Sequence, residues 1–283
     1  MQNQTQRSDK FTSFFALIAI PVIFAACLVL FFYVLGHESN FEGGDPVKGH
    51  PLNYLGTVYK GGIIVPFLMS CFVMVLTFSV ERFLTISKAY GKGSLDKFLR
   101  DIKFQLSDNN LETAKNRCSS QKGSVGNVVF SVINRYQQIL SDSAYNKEQK
   151  TAAIQKEIEE ATALELPVLE KNLTIIATLA SVATLVGLLG TVIGMIKAFA
   201  ALATAGSPDA VALANGISEA LINTALGIAS SALAIISYNF FTSKIDTLTY
   251  SIDEIGFSIV SHFNATYREP RSERKVAETF VVQ

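Results

Sequence analysis

The sequence predicts an all-α polytopic membrane protein with a helical portion outside the bilayer. Three observations predict it. Four apolar runs, Phe14 to Leu35, Gly61 to Val80, the stretch from Leu173 and the stretch from Val211 to Phe241, each provide about the 20 apolar residues that cross a bilayer as a helix. The chain is 49% hydrophobic and 17% charged, with mean hydropathy +0.32, whereas a soluble domain is roughly 25% charged. Residues 83–171 hold half of the charged residues and repeat their apolar residues at helical spacing.

Composition excludes several classes. A formal net charge of zero and a pI near 6.8 give no support for a nucleic-acid partner. Cys27, Cys71 and Cys118 have no CxxC spacing, so neither a disulfide framework nor a zinc site is expected. Cys27 and Cys71 lie within apolar runs, where cysteine serves as a small hydrophobe. His37, His50 and His262 are isolated, and no nucleophile–base set or phosphate loop appears. No catalysis, cofactor or metal is therefore expected. Broken helices in inverted repeats, the mark of a secondary transporter, are not evident.

In chain order, residues 1–10 are polar and Phe14 to Leu35 forms the first span. Its apolar core exceeds the 7–15 residues of a secretory signal and no small-x-small cleavage site follows, so it reads as retained. Pro21 is expected to kink it, which a membrane helix tolerates. A polar linker, His37 to Lys60, leads to the second span, Gly61 to Val80, which Glu81 and Arg82 are expected to close. Lys88, Lys92, Lys97 and Arg100 follow within about 20 residues, which marks the cytoplasmic side. The linker then lies outside and both termini inside.

Leu84, Leu95, Phe98, Leu99, Ile102 and Leu106 recur at helical spacing, Leu111 to Lys115 suggests a short helix, and Val128 to Leu140 is apolar on one side. Lys147 to Lys171 reads as a charged amphipathic helix leading into the third span. The turn from Thr204 to Asp209 carries no Lys or Arg, as an outside loop should. After Phe241, the 3-4-3-4 spacing of Ile245, Leu248, Ile252, Ile255 and Ile259 is a heptad seam, so the fourth span is expected to continue as a helix to about Phe263. The tail from Tyr267 is polar. These boundaries divide the chain into 1–60, 61–172, 173–243 and 244–283.

The third and fourth spans carry the chemistry. Glu219 lies about 15 Å into the bilayer at about 1.5 Å per residue from Asp209. An acid at that depth is expensive and often marks an ion path. Burial disfavours the charged form of a carboxylate, so this position is a candidate for taking up and releasing a proton. The alternative is a protonated side chain that only joins helices. Asn223, Gly227 and Ser230 share its face. Thr224 lies about 140° around the helix from Glu219, so the two cannot both point at one axis. On the third span, Ala177, Ala180, Thr184, Gly187, Thr191, Gly194 and Ala198 line one face, and Gly190 with Gly194 makes a GxxxG spacing that favours close helix packing. Thr184 and Thr191 can line a wet lumen or bond back to their own helix. A single chain with so few polar groups cannot easily enclose a pore; several copies around an axis can.

The motifs VGLLGTVIGM and, after the turn, GISEALINTALGI lie within Leu169 to Lys244, about a quarter of the chain. This stretch resembles the MotA/TolQ/ExbB proton-channel family, nearest its ExbB branch, and Glu81-Arg82-Phe83 fits the end of that family's first core helix. The resemblance implies a three-helix ExbB-like core preceded here by one additional N-terminal span, with long helices extending into the cytoplasm of a bacterial inner membrane. It implies a ring of subunits, usually a pentamer, around two ExbD-type single-span partners whose Asp is protonated and deprotonated in the lumen. Proton flow then drives a TonB-type protein and, through it, outer-membrane transport. By motif, Thr191 and Thr224 fall on the threonines of the proton path and Glu219 on the buried glutamate; Thr184 and Asn223 are further candidates to line the path, and Gly187, Gly190, Gly194 and Gly227 are expected to pack helices. Leu233 and Asn215 stand where the family has prolines, and Lys197 is an uncommon charge, expected to snorkel. Envelope maintenance of the TolQ type, a motility stator, or a structural membrane scaffold are the competing functions.

Overall fold

The computed structural model describes residues 2–47, 49–142, 144–203 and 209–267, with side chains from Phe15 onward. The turn expected over 204–208 and the tail beyond Tyr267 lie outside these residues. The described chain is helical throughout, with one isolated bridge between Phe41 and Pro51. It forms two compact units: Met1–Arg82 with Asn172–Phe241, and Phe83–Lys171 with Thr242–Gln283. Four of its helices are long and apolar enough to cross a membrane, as the sequence predicts.

The first unit holds the apolar spans. Helix α1, Gln2–Val29, runs through Pro21 and passes into a π-helical stretch, Leu30–Leu35. The helix is continuous through Pro21, and the departure from α geometry comes later. Cys27, Phe31 and Leu35, four residues apart, bury one narrow stripe, while Leu17, Val22, Phe32 and Tyr33 stay exposed. A helix held by one stripe with apolar side chains elsewhere has a lipid-facing surface. Its stripe meets helix α3, Val65–Ala89, in edge-on ring contacts between Phe15 and Phe78 and between Phe24 and Phe67. Helix α3 runs past Glu81-Arg82, the pair expected to close the span. The pair is satisfied internally, with Arg82 Nε donating to Glu81 at 2.6 Å and Asn172 Nδ2 donating to the same carboxylate at 3.2 Å. The helix therefore continues to Ala89.

The linker between α1 and α3 is ordered by two asparagines. Asn40 Nδ2 donates to the carbonyls of Val34 (2.8 Å) and Leu35 (3.0 Å), closing the otherwise open end of the first helix. Asn53 Nδ2 donates to Asn40 Oδ1 at 2.8 Å, and its own oxygen caps helix α2, Tyr54–Tyr59, at Gly56 N. Asn40→Ala is expected to destabilise the linker by about 1–3 kcal/mol, the loss from leaving buried partners unpaired. Faster proteolysis within residues 36–60, with span contacts unchanged, is the corresponding readout.

The second unit packs its helices in sequence order, α4 (Leu95–Ser107) on α5 (Leu111–Gln121), α5 on α6 (Gly123–Leu140), and α6 on α7 (Lys147–Glu170). Side-chain caps start three of them: Ser94, Asn110, and Asn146, the last in a reciprocal capping box with Gln149. Leu95, Phe98, Leu99, Ile102 and Leu106 are buried on α4, but Leu84 belongs to α3 and is exposed. Residue spacing alone cannot see the turn that separates them.

Two long helices complete the chain: α8, Leu173–Leu202, and α9, Ala210–Thr266. Asn172, at φ 65°, separates α8 from α7. The seam residues Ile245, Leu248, Ile252, Ile255 and Ile259 on α9 are all buried in the second unit, so the helix extends past the apolar span as its heptad spacing predicts.

Candidate functional site

The site is the antiparallel pair made by α8 and the first half of α9. Small residues set its separation. A Cβ added at Gly187 would lie 3.0 Å from the Asn223 carbonyl oxygen and 3.1 Å from Gly227 Cα; one at Gly227 would lie 2.7 Å from the Ala183 oxygen. One at Gly194 would lie 2.6 Å from both Ala220 N and Gly216 O. At Gly190 it would run into the Asn223 side chain, 2.4 Å from its Cβ. All four glycines therefore sit where backbone or a buried side chain crosses, the close approach that small residues permit between membrane helices.

That approach brings polar groups together at three levels. At the first, the hydroxyls of Thr191 and Thr224 hydrogen-bond each other. Each also turns back to its own helix, Thr191 to Gly187 O (3.3 Å) and Thr224 to Ala220 O (3.2 Å). A threonine hydroxyl has one proton to donate and two lone pairs to accept. Two protons therefore serve three contacts, and one of the three lacks a hydroxyl proton at any instant. The pair can reorganise by rotating hydroxyls, and it keeps lone pairs free for an outside donor. Both side chains are part-buried.

The second level is Asn223, fully buried behind Gly190. Its Nδ2 donates to the Gly61 carbonyl at 2.8 Å, and its Oδ1 is buried without a partner. The third level lies nearest the turn. Lys197 Nζ donates to both oxygens of Glu219, at 2.7 and 2.8 Å. The Glu219 side chain is 9% exposed and that of Lys197 54%. The expectation that Lys197 merely snorkels is corrected here: its stem does reach an exposed position, but its ammonium is spent on the carboxylate. Glu219 also rests on Gly62, which sits at φ +78° with Glu219 Oε1 only 2.5 Å from where a Cβ would be. Both the backbone conformation and the contact require glycine there.

Thr184 does not join these groups. Its hydroxyl returns to Ala180 O at 3.2 Å. It lines a separate cavity of about 500 Å³ with Ala180, Ser181, Ser231 and Tyr238. Sequence reasoning missed Lys197 and the Gly61–Gly62 turn. For Lys197 a signal existed. Thr191 and Thr224, Gly187 and Gly227, and Lys197 and Glu219 are all paired about a sequence midpoint near residue 207, so folding the hairpin on paper places Lys197 opposite Glu219. The Asn223–Gly61 bond spans 162 residues and left no local trace.

Residues 127–254 match a family model described as the MotA/TolQ/ExbB proton channel family. The chain is 28% identical over 236 residues to the Tol-Pal system protein TolQ of Haemophilus influenzae, covering 77% of this chain and 98% of that one. It is 41% identical over 80 residues to the Tol-Pal system protein TolQ of Pseudomonas aeruginosa, 28% of this chain and 35% of that protein. To the biopolymer transport protein ExbB of Xanthomonas campestris pv. campestris it is 32% identical over 108 residues, 36% of this chain and 43% of the relative. The matches thus span less than half the length of the Pseudomonas and Xanthomonas relatives.

Proposed function

We propose, from the premise that this chain belongs to the MotA/TolQ/ExbB proton channel family, that it is the ring-forming subunit of a motor in a bacterial inner membrane. Proton flow along the α8–α9 hairpin powers the motor, which serves outer-membrane transport in the manner of ExbB. The observation that carries this reading is the Thr191–Thr224 hydroxyl pair. It is a neutral relay in apolar helices, with protons and lone pairs that can exchange partners. Thr191, Thr224 and Glu219 line the path in this proposal, with Asn223 and Thr184 at its edges. An ExbD-type single-span partner, two to a ring of five, brings the carboxyl that loads and unloads the proton. A TonB-type protein receives the work. Both termini lie inside in this proposal, which the lysines and arginine after the second span support.

A second reading, envelope maintenance of the TolQ type, is favoured by one observation: the alignment to the Haemophilus TolQ runs nearly the whole length of that protein. One experiment separates the two. The chain is expressed with its ExbD-type or TolR-type partner in a bacterium lacking its own ExbB and TolQ. Restored siderophore uptake is the expected result. Restored detergent resistance without uptake moves the function to TolQ. Neither phenotype, from a complex whose native mass shows an assembled ring, overturns the motor reading.

A further inference from the structure

Resting on the proton-conducting reading above, we propose that Lys197 is the specificity-determining residue of this site. Its ammonium occupies the place on Glu219 that an alkali cation would take, so the path accepts protons and refuses metal ions.

Three oxygens on one face of α9 are candidates to hold a cation. Two are the carboxylate oxygens of Glu219, which lies almost entirely out of solvent. The third is Asn223 Oδ1, one helical turn along the same face of α9, buried and without a hydrogen bond. Both side chains press on the same dipeptide, Asn223 through its bond to Gly61 O and Glu219 through its contact with Gly62. Hard cations are held by such sets of carboxylate and amide oxygens. A buried carboxylate one helical turn from an unpartnered amide oxygen is therefore a candidate cation site.

Lys197 answers it. Its ammonium sits across both carboxylate oxygens at hydrogen-bond distance. The tethered charge neutralises the acid and repels a second cation at that place. A proton needs no cavity and no ligand set. It passes between hydrogen-bonded groups, and the half-exposed lysine side chain leaves its ammonium free to turn away from the carboxylate when that is protonated. Among the described residues, Lys197 is the charged side chain that touches Glu219.

The test reads cation occupancy rather than transport. The full chain, co-expressed with its partners in membranes, is treated with dicyclohexylcarbodiimide. This reagent adds to a protonated carboxyl to give an O-acylisourea, which rearranges to a stable N-acylurea. The adduct on Glu219 is measured by mass spectrometry in sodium chloride and in choline chloride. In the wild type and in Lys197→Arg, labelling is expected to be the same in both salts. In Lys197→Met, sodium at ten times its dissociation constant is expected to slow labelling about elevenfold, because the unoccupied fraction falls by that factor. Lys197→Gln is read alongside, in case methionine impairs assembly. Equal labelling of the neutral variants in both salts overturns the proposal, and so does sodium protection of the wild type, whatever the variants do. A chain that labels as expected but carries no proton flux overturns the conduction reading and leaves the assignment of Lys197 standing.

Discussion

Replacing Thr191 and Thr224 together by valine is expected to abolish proton flux while the assembled complex survives. Valine keeps the branched shape and removes the hydroxyl, so the small-residue packing around Gly187 and Gly194 is left intact. What goes is the hydrogen-bonded link between α8 and α9 at that level. Losing a hydrogen-bond partner costs about 1–3 kcal/mol, which corresponds to about 5- to 150-fold in a rate for each hydroxyl that the moving proton uses. The single variants are expected to lose less. In each, the remaining threonine still bonds its own carbonyl, at Gly187 or Ala220, so it is held in place. Flux measured in proteoliposomes, with native mass confirming assembly, decides the matter. Full flux from the double variant removes the hydroxyl pair from the mechanism.

Gly194→Leu is expected to have the largest effect on the protein itself. The first carbon of any side chain there overlaps backbone atoms of Gly216 and Ala220, at 2.6 Å. A flexible side chain could yield; the backbone of a packed helix cannot do so without moving α9. Overpacking a core costs typically 1–3 kcal/mol and sometimes more, out of a total stability of about 5–15 kcal/mol. Moving α9 would also part Lys197 from Glu219 and Thr191 from Thr224. The proposed ring is expected to dissociate in mild detergent and the chain to unfold at lower temperature. Leu188→Ala, at an exposed apolar position on the same helix, serves as the control and is expected to leave both unchanged. An oligomer of normal mass and stability from Gly194→Leu would show that the two helices do not cross closely at this point.

Much of the architecture was legible because its physics is local. Ser94 and Asn146 sit at helix starts with their own partners three residues on. The isoleucine and leucine seam from Ile245 to Ile259 repeats at the spacing that keeps one face inward, and every member of it is buried. The glycines of the hairpin were readable for the same reason. Where the reading went astray, the deciding contact came from a distant part of the chain. Glu81 and Arg82 read only as the end of a span; that they bond each other and Asn172, 91 residues away, came from the fold. Lys197 looks like a stray surface charge until the hairpin register places it on Glu219.

From its order of residues alone, this protein is bound to be a set of apolar helices with a small-residue face and a few hydroxyl and acid groups inside the membrane. Periodicity and composition act over a turn or two, and one strand of text carries them completely. Which of those groups touch was decided only by the fold. Thr191 meeting Thr224, Lys197 holding Glu219, and Asn223 reaching Gly61 each depend on how far one helix slides past another. That slide is set by backbone contact at Gly187, Gly194 and Gly227, where a side chain's width in either direction would pair different residues.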